Sequence, residues 1–160
     1  MTRQIATLVH RDAKQVNGHP SNQNLKTDEN NSRDWLLLAK ERLEKADALF
    51  NQFGASYSGV ELLQESVERY LKGYLVGKGW KLERIRDLNR LLEAAMSFDP
   101  QFAQFAELAH SLTEQFWEQH YPGGDLSEVG ADYPELRQQA GELVALIYAS
   151  IPPSGEPKQP

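Results

Sequence analysis

The chain has 160 residues, 40% of them hydrophobic, which fits a single domain with one core. Its 17 basic and 23 acidic residues give a net charge of −6, which opposes indiscriminate binding to nucleic acid. The lack of cysteine excludes disulfides, thiolate zinc sites and a cysteine nucleophile. No run approaches the roughly 20 consecutive apolar residues of a transmembrane helix. The N-terminus also lacks an apolar signal-peptide core, so we expect a cytoplasmic protein that does not bind membranes.

The two ends of the chain are predicted to lie outside the folded domain. Residues 1–31 are rich in Asn, Gln, Thr, Lys and His and have little apolar periodicity, which is typical of a flexible tail. Residues 152–160, PPSGEPKQP, form a proline-rich end that we expect to be disordered. The folded domain is therefore expected over residues 32–151.

Five amphipathic helices are predicted in this domain. Ser32 is the expected N-cap of the first helix, and the Pro122-Gly123-Gly124 sequence cannot continue the fourth, which should end near His120. The expected ranges are about 32–51, 56–76 and 86–97, then from FDP (98–100) to His120, and finally 134–150.

Apolar residues recur in each range at a 3-4-3-4 spacing, which places them on one face of a helix. The residues expected to face the core are Leu36, Ala39, Leu43, Ala46 and Phe50; Val60, Leu63, Val67, Leu71 and Tyr74; Leu88, Leu91, Leu92 and Ala95; Phe102, Phe105, Ala109, Leu112 and Phe116; Leu136, Ala140, Leu143 and Ile147. No stretch alternates as a strand would, and most connections are short. The sequence therefore predicts an all-α fold, an antiparallel up-and-down bundle of about five helices.

The segment KGWKLERIRDLNR, residues 78–90, is the most basic part of the chain. Lysines and arginines at positions 78, 81, 84, 86 and 90 outnumber the acidic Glu83 and Asp87. This segment is either a local basic patch or a solvated loop that leads into a short helix, and the sequence leaves both open.

Two histidines lie on the fourth helix. His110 and Glu114 are one turn apart, a spacing that suits a proton-transfer or metal pair, but with no third ligand in reach we interpret His110 as a boundary residue beside the core. A cation in the last turn, such as protonated His120, stabilises a helix by about 0.3–1 kcal/mol through the helix dipole. No glycine-rich phosphate loop or zinc signature occurs, so we expect no metal and no cofactor.

Four segments carry further motifs. The first helix reads RDWLLLAKERLEKADALF (33–50), with alternating Leu/Ala and charge. YSGVELLQESVERYLKGYLVGKGW (57–80) carries Gln64, Glu68-Arg69 and Leu71-Lys72. IRDLNRLLE (85–93) contains Asp87-Leu88, and FWEQHYPGG (116–124) contains Tyr121-Pro122.

In this order and spacing, the four segments resemble the HEPN domain, a small helical bundle found widely in prokaryotes. The resemblance covers about residues 33–150. Two positions depart from the family pattern: Ile85-Arg86 replaces a usual Thr-His, and His120 replaces a usual Arg.

The resemblance implies a homodimer, and it implies a minimal nucleotidyltransferase as partner in a toxin–antitoxin pair. Many members are metal-independent ribonucleases that use an Arg and a His with four to six residues between them. No arginine lies within seven residues before His110 or His120. Arg3 and His10 have the spacing, but they lie in the tail, and we interpret that pair as coincidence.

Gln64, Glu68 and Lys72 are spaced by four and form a polar ribbon on the second helix. The ribbon is either a charge ladder that faces solvent or the wall of a groove near Asp87 and the end of the fourth helix, where the resemblance implies a polar pocket. In the second case Tyr121 belongs to the same binding groove.

We expect the protein to be a dimerising interaction module that has lost catalysis, with exposed Trp35, Trp80 and Trp117 as candidate anchors. The alternative is that two of these three tryptophans belong to the core. The alternative is a ribonuclease or an RNA- or nucleotide-processing factor with an atypical cluster of Glu68, Lys72, Arg86, Asp87 and His120. Its catalytic candidates are His120, Arg86 and Asp87. A plain nucleotide-binding module is a third possibility.

Overall fold

A computed structural model describes residues 26–152. Within them lie five α-helices and no strand: α1 (Ser32–Phe53), α2 (Tyr57–Gly77), α3 (Leu88–Phe98), α4 (Ala106–His120) and α5 (Tyr133–Ala149). The predicted all-α bundle is confirmed. Residues 1–25 and 153–160 lie outside the described residues, so most of both predicted tails, including Arg3 and His10, stays a prediction. None of the helices between residues 26 and 152 has the length and apolar character that a membrane span requires.

Short polar side chains cap the first three helices. Asn31 caps α1, since its side chain accepts a hydrogen bond from the backbone N–H of Arg33 at 3.0 Å. The prediction that Ser32 is this cap is wrong, because the Ser32 hydroxyl instead donates to the carbonyl of Gly73 at 2.6 Å. Ser56 caps α2 and Asp87 caps α3 in the same way as Asn31.

The predicted fourth helix begins differently from the expectation. Residues Pro100–Phe105 form a 3₁₀ helix, and α4 itself starts at Ala106. Phe102 and Phe105 are three residues apart, so a helix with three residues per turn places both rings on one side, and both are buried. The apolar spacing predicted the inward face correctly but not the tighter winding.

Helices α1 and α2 pack as an antiparallel pair. Hydrogen bonds join Ser32 to Gly73 and the Ser66 hydroxyl to the Ala39 carbonyl at 2.8 Å, so residue numbers fall along α2 as they rise along α1. Gly73 permits the close approach of the two helices, because a Cβ atom there would lie 2.9 Å from Cδ2 of Leu36.

The connection from α2 to α3, residues 78–87, is not a simple turn. It runs back along α2: the Trp80 N–H donates to the Leu75 carbonyl at 2.9 Å, and the Gln64 side-chain amide donates to the Arg86 carbonyl at 3.2 Å. We call this segment the return segment. The segment returns the chain to the level of Gln64 before α3 starts, and just after α3 the Phe102 ring lies 4.6 Å from the Tyr74 ring near the end of α2. Helix α3 therefore runs parallel to α2, and strict up-and-down alternation is interrupted here.

The predicted apolar stripes form the core. Every predicted inward residue from Val60 onwards is buried, as are Leu36, Ala39 and Ala46, while Leu43 and Phe50 are half-buried and pack against the core. Helix α2 lies at the centre, in contact with α1, α3, α4 and α5. This central position explains why α2 buries polar residues as well as apolar ones.

Candidate functional site

The polar ribbon of α2 faces the protein rather than bulk solvent. Gln64, Glu68 and Lys72 are only 1%, 8% and 6% exposed. The interpretation of these three residues as a solvent-exposed charge ladder is therefore wrong. They are covered because the return segment passes over this face of α2.

A groove of about 420 Å³ lies between the start of α1, the middle of α2 and the return segment. On its wall the ammonium of Lys72 lies 3.0 Å from the carboxylate of Glu68, one turn earlier on α2. The same ammonium lies 5.6 Å from the centre of the Trp35 ring, within cation–π range. The Trp35 indole N–H donates to the Glu29 carbonyl at 2.8 Å, which fixes that ring at the end of the groove.

Three arginines also line the groove: Arg69 from α2, and Arg84 and Arg86 from the return segment. The return segment contributes Leu82 and the acidic Glu83 to the lining as well. Arg84 is paired with the carboxylate of Glu29 at 3.2 Å, and both side chains are largely exposed. Arg69 and Arg86 form no ion pair with any other residue between 26 and 152. The groove therefore holds two guanidinium groups that are available to an anion.

His120 lies at the other end of α2. Its Nδ1 atom is 2.7 Å from the carbonyl oxygen of Phe116, and its Nε2 atom is 3.5 Å from the carboxylate of Glu61. Since a carbonyl oxygen only accepts hydrogen bonds, the Phe116 contact fits the tautomer in which Nδ1 is the donor. Glu61 precedes Lys72 by about 16 Å of helix, so His120 is separate from the groove.

The remaining predicted site residues divide between these two places. Arg86 lines the groove with Glu68 and Lys72. Asp87 caps α3, where its carboxylate accepts from the Asn89 N–H at 2.9 Å. Tyr121 is exposed, and its ring centre lies 5.4 Å from that of Trp117. The structure thus brings Glu68, Lys72 and Arg86 together but leaves His120 and Tyr121 at the end of α4.

The other candidates from the sequence are simpler. His110 and Glu114 are both exposed on α4, and no group of three or more potential metal ligands occurs within residues 26–152. Trp35 and Trp80 are half-buried and Trp80 packs against the core, which favours the alternative that two of the three tryptophans are not exposed anchors, whereas Trp117 is exposed.

Sequence reasoning assigned no site role to six of the nine residues that line the groove: Glu29, Trp35, Arg69, Leu82, Glu83 and Arg84. Arg69 was matched to the family motif but given no role, although it follows Glu68 directly. Trp35 was assigned to an interface, and Glu29 to the tail. Nothing in the local sequence signals that Glu29 reaches Arg84, because the two residues are 55 positions apart.

A larger cavity of about 510 Å³ lies beside the acidic loop that follows α4. Its polar groups are engaged in holding the loop: Gln115 bonds to Asp132 and to the Gly130 N–H, and Glu118 accepts from the Asp125 N–H. Hydrogen bonds from Ser127 lower the pKa of the Asp125 carboxyl. This cavity is a structural feature of the loop.

The comparisons with known proteins give one match. The family model described as HEPN domain matches residues 32–147. No curated protein and no solved structure matches the chain at a significant level.

Proposed function

The chain belongs to the HEPN domain family, and on that premise we propose that it is a dimerising interaction module without ribonuclease activity. The observation that carries the proposal is the pair of adjacent, exposed rings of Trp117 and Tyr121 at the end of α4, whose centres lie 5.4 Å apart with their planes tilted by 35°. Exposed aromatic side chains are typical anchors of protein interfaces, because they bury much apolar area at little cost in conformational entropy.

Tyr57 extends this surface. It lies one turn before Glu61 on α2, and Glu61 contacts His120, the residue next to Tyr121. The side chains of Tyr57, Trp117 and Tyr121 are 53%, 43% and 63% exposed. We call these three residues the aromatic patch, and a second copy of the chain is the partner we propose for it.

The loss of catalysis is supported by the surroundings of His120. Both ring nitrogens already face acceptors of the same chain, the Phe116 carbonyl and the Glu61 carboxylate. The family's ribonucleases pair their histidine with an arginine shortly before it in sequence, and His120 has no arginine within the seven preceding residues. In those ribonucleases the arginine holds the scissile phosphate while the histidine transfers a proton, so His120 alone supplies half of the pair.

Sedimentation equilibrium tests the dimer. Truncation of an aromatic anchor at an interface typically costs 2 kcal/mol or more, so Trp117→Ser or Tyr121→Ser should weaken the dimer by about thirtyfold or more. Phe98→Ser is the matched control, because Phe98 is 45% exposed at the end of α3 and lies outside the patch. A monomeric wild type, or equal weakening by the control, contradicts the proposal.

A ribonuclease assay on a generic RNA tests the second half of the proposal. We expect no cleavage by the wild-type protein. Cleavage that disappears in His120→Ala would instead support the alternative enzyme, with Arg86 and Asp87 as further catalytic candidates and Glu68 and Lys72 in the same cluster.

The resemblance also supports a minimal nucleotidyltransferase as a second partner, as in toxin–antitoxin pairs. Co-expression with such a protein encoded beside this chain, followed by size-exclusion chromatography, tests it. We expect the two proteins to elute together, and separate elution contradicts this part of the proposal.

A further inference from the structure

We propose that the second copy of the chain covers the aromatic patch with the start of its α3, and not with its own aromatic patch. This assignment rests on the dimer proposed above and names the surfaces that meet in it. Arg90 of each copy then lies against Glu114 and the aromatic rings of α4 in the other copy. A two-fold axis between the two surfaces makes this contact occur twice in each dimer.

Charge is distributed unevenly along the chain. Residues 91–136 contain nine acidic residues and no lysine or arginine, whereas the rest of the chain has a net charge of +3. The acidic stretch includes the whole of α4 together with Trp117 and Tyr121. Two aromatic patches that faced each other would therefore also bring two acidic surfaces together, and like charges across an interface lower its affinity.

The part of the aromatic patch on α4 is bordered by carboxylates. Glu114 lies three residues before Trp117 and Glu118 directly after it, and both are exposed. Glu114 forms no ion pair with any residue between 26 and 152. A carboxylate beside exposed aromatic rings suits a guanidinium group, which pairs with the carboxylate and stacks on the rings.

Arg90 is the cation that fits this surface. It lies in the first turn of α3, where a positive charge is unfavourable to the helix dipole. Its side chain is exposed, and it pairs with no carboxylate among the described residues. No contact within this part of the chain compensates for its charge, whereas Glu114 of a second copy would do so.

The start of α3 and the last turns of α4 are adjacent in the bundle. The Leu88 N–H at the start of α3 donates to the Thr113 hydroxyl of α4 at 3.3 Å, and Trp117 follows Thr113 by about 6 Å along the helix. A face that carries a cation beside an acidic, aromatic surface is complementary to itself after a half-turn. Self-complementarity of this kind is what a closed two-fold dimer requires.

A charge-swap experiment on the full chain, followed by sedimentation equilibrium, tests the proposal. Arg90→Glu and Glu114→Lys should each weaken the dimer by about tenfold or more, because each reversal places like charges together at both contacts. An equimolar mixture of the two variants should recover the affinity of the wild type, since both contacts of the mixed dimer again join opposite charges. Native mass spectrometry with one variant labelled with ¹⁵N should show one copy of each in the recovered dimer.

Arg33→Glu is the matched control. Arg33 is also an exposed arginine in the first turn of a helix, and it forms no ion pair among the described residues. The start of α1 lies beside Gly73, however, about 24 Å along α2 from Tyr57, so this reversal should leave the dimer unchanged. Circular dichroism verifies that every variant is folded, as we expect for Arg90→Glu, because an acidic residue in the first turn favours α3.

The salt dependence of the wild-type dimer is a second measurement. Salt screens exposed charges, so the dimer should weaken as NaCl rises from about 50 mM to about 500 mM. Tightening with salt would show that two acidic surfaces meet, which overturns the proposal.

The outcomes separate this geometry from the dimer itself. If the wild type dimerises and Trp117→Ser weakens the dimer, but the charge reversals do not or their mixture stays monomeric, the geometry is wrong and the proposed dimer stands. Equal weakening by Arg33→Glu also overturns the geometry, because it indicates a diffuse field. A monomeric wild type contradicts both the geometry and the proposed dimer.

Discussion

The ion pair between Glu68 and Lys72 should have a much larger coupling energy than an exposed pair of the same geometry. Its side chains are 11% and 8% exposed, and its charged atoms are 3.0 Å apart. At that distance Coulomb's law with an effective dielectric constant of about 20 gives roughly 5.5 kcal/mol of attraction. Water in the groove screens one side of the pair, so we expect a coupling energy of about 2–3 kcal/mol.

The chain contains a matched control. Glu41 and Lys45 on α1 have the same residue types, the same order and the same spacing, and lie 2.8 Å apart, but both are more than half exposed. The hydrogen bond from Lys45 lowers the pKa of Glu41. Exposed helix pairs of this kind typically contribute only about 0.3–0.5 kcal/mol.

Double-mutant cycles in urea denaturation measure both pairs, with Glu→Gln and Lys→Met at each position. Lys72→Met alone should cost about 3 kcal/mol, because it leaves Glu68 covered and unpaired, whereas the double variant should recover much of this loss. If the coupling energy of the covered pair does not exceed that of the exposed pair, our account of the groove wall is wrong.

Three further outcomes follow from the packing. Gly73→Val should lower the free energy of unfolding by about 2 kcal/mol in urea titrations, because the valine side chain would collide with Leu36. An unchanged midpoint of urea unfolding would show that α1 moves away without loss of stability. Tyr133→Phe should raise the free energy of unfolding by about 1 kcal/mol, because the Tyr133 hydroxyl is buried without a hydrogen-bond partner among the described residues. A loss of stability would instead show that this hydroxyl forms a hydrogen bond in solution. Burial raises the pKa of Tyr70, so the folded state keeps this phenol protonated. Its contribution to the free energy of unfolding is fully present below the unfolded pKa of about 10 and is lost as pH rises above that value. Alkaline unfolding followed by circular dichroism should therefore occur at a higher pH in Tyr70→Phe, and an identical transition would exclude Tyr70 as its cause.

The apolar periodicity predicted the fold well because four helices each bury one face. From α3 onwards, every predicted inward residue is buried. Helix boundaries agree within a few residues, apart from the 3₁₀ helix that precedes α4. Its winding is set by Asp99, which caps the turn, and by Pro100, and spacing alone does not distinguish it from an α-helix.

The groove was only partly predictable. Gln64, Glu68 and Lys72 were identified as a ribbon, but the sequence left open whether they face solvent, because a helix in isolation does not reveal what covers it. That depends on the path of residues 78–87, which make few regular backbone hydrogen bonds and so leave no periodic signal. The separation of His120 from the groove was also not predictable, because it depends on which part of α2 the end of α4 packs against. His120 contacts Glu61, whereas the groove lies at Glu68 to Lys72.

The return segment has an evolutionary consequence. It forms one wall of the groove but lies outside every helix. Of its residues, Leu82, Glu83, Arg84 and Arg86 line the groove, whereas Trp80 and Ile85 pack against the core. Substitutions at the four lining positions therefore alter the groove without disturbing a helical hydrogen-bond ladder. The opposite wall, on α2, is fixed by the packing of four neighbouring helices. Selection can thus change the lining of the groove at those four positions, while the bundle that supports them stays as it is.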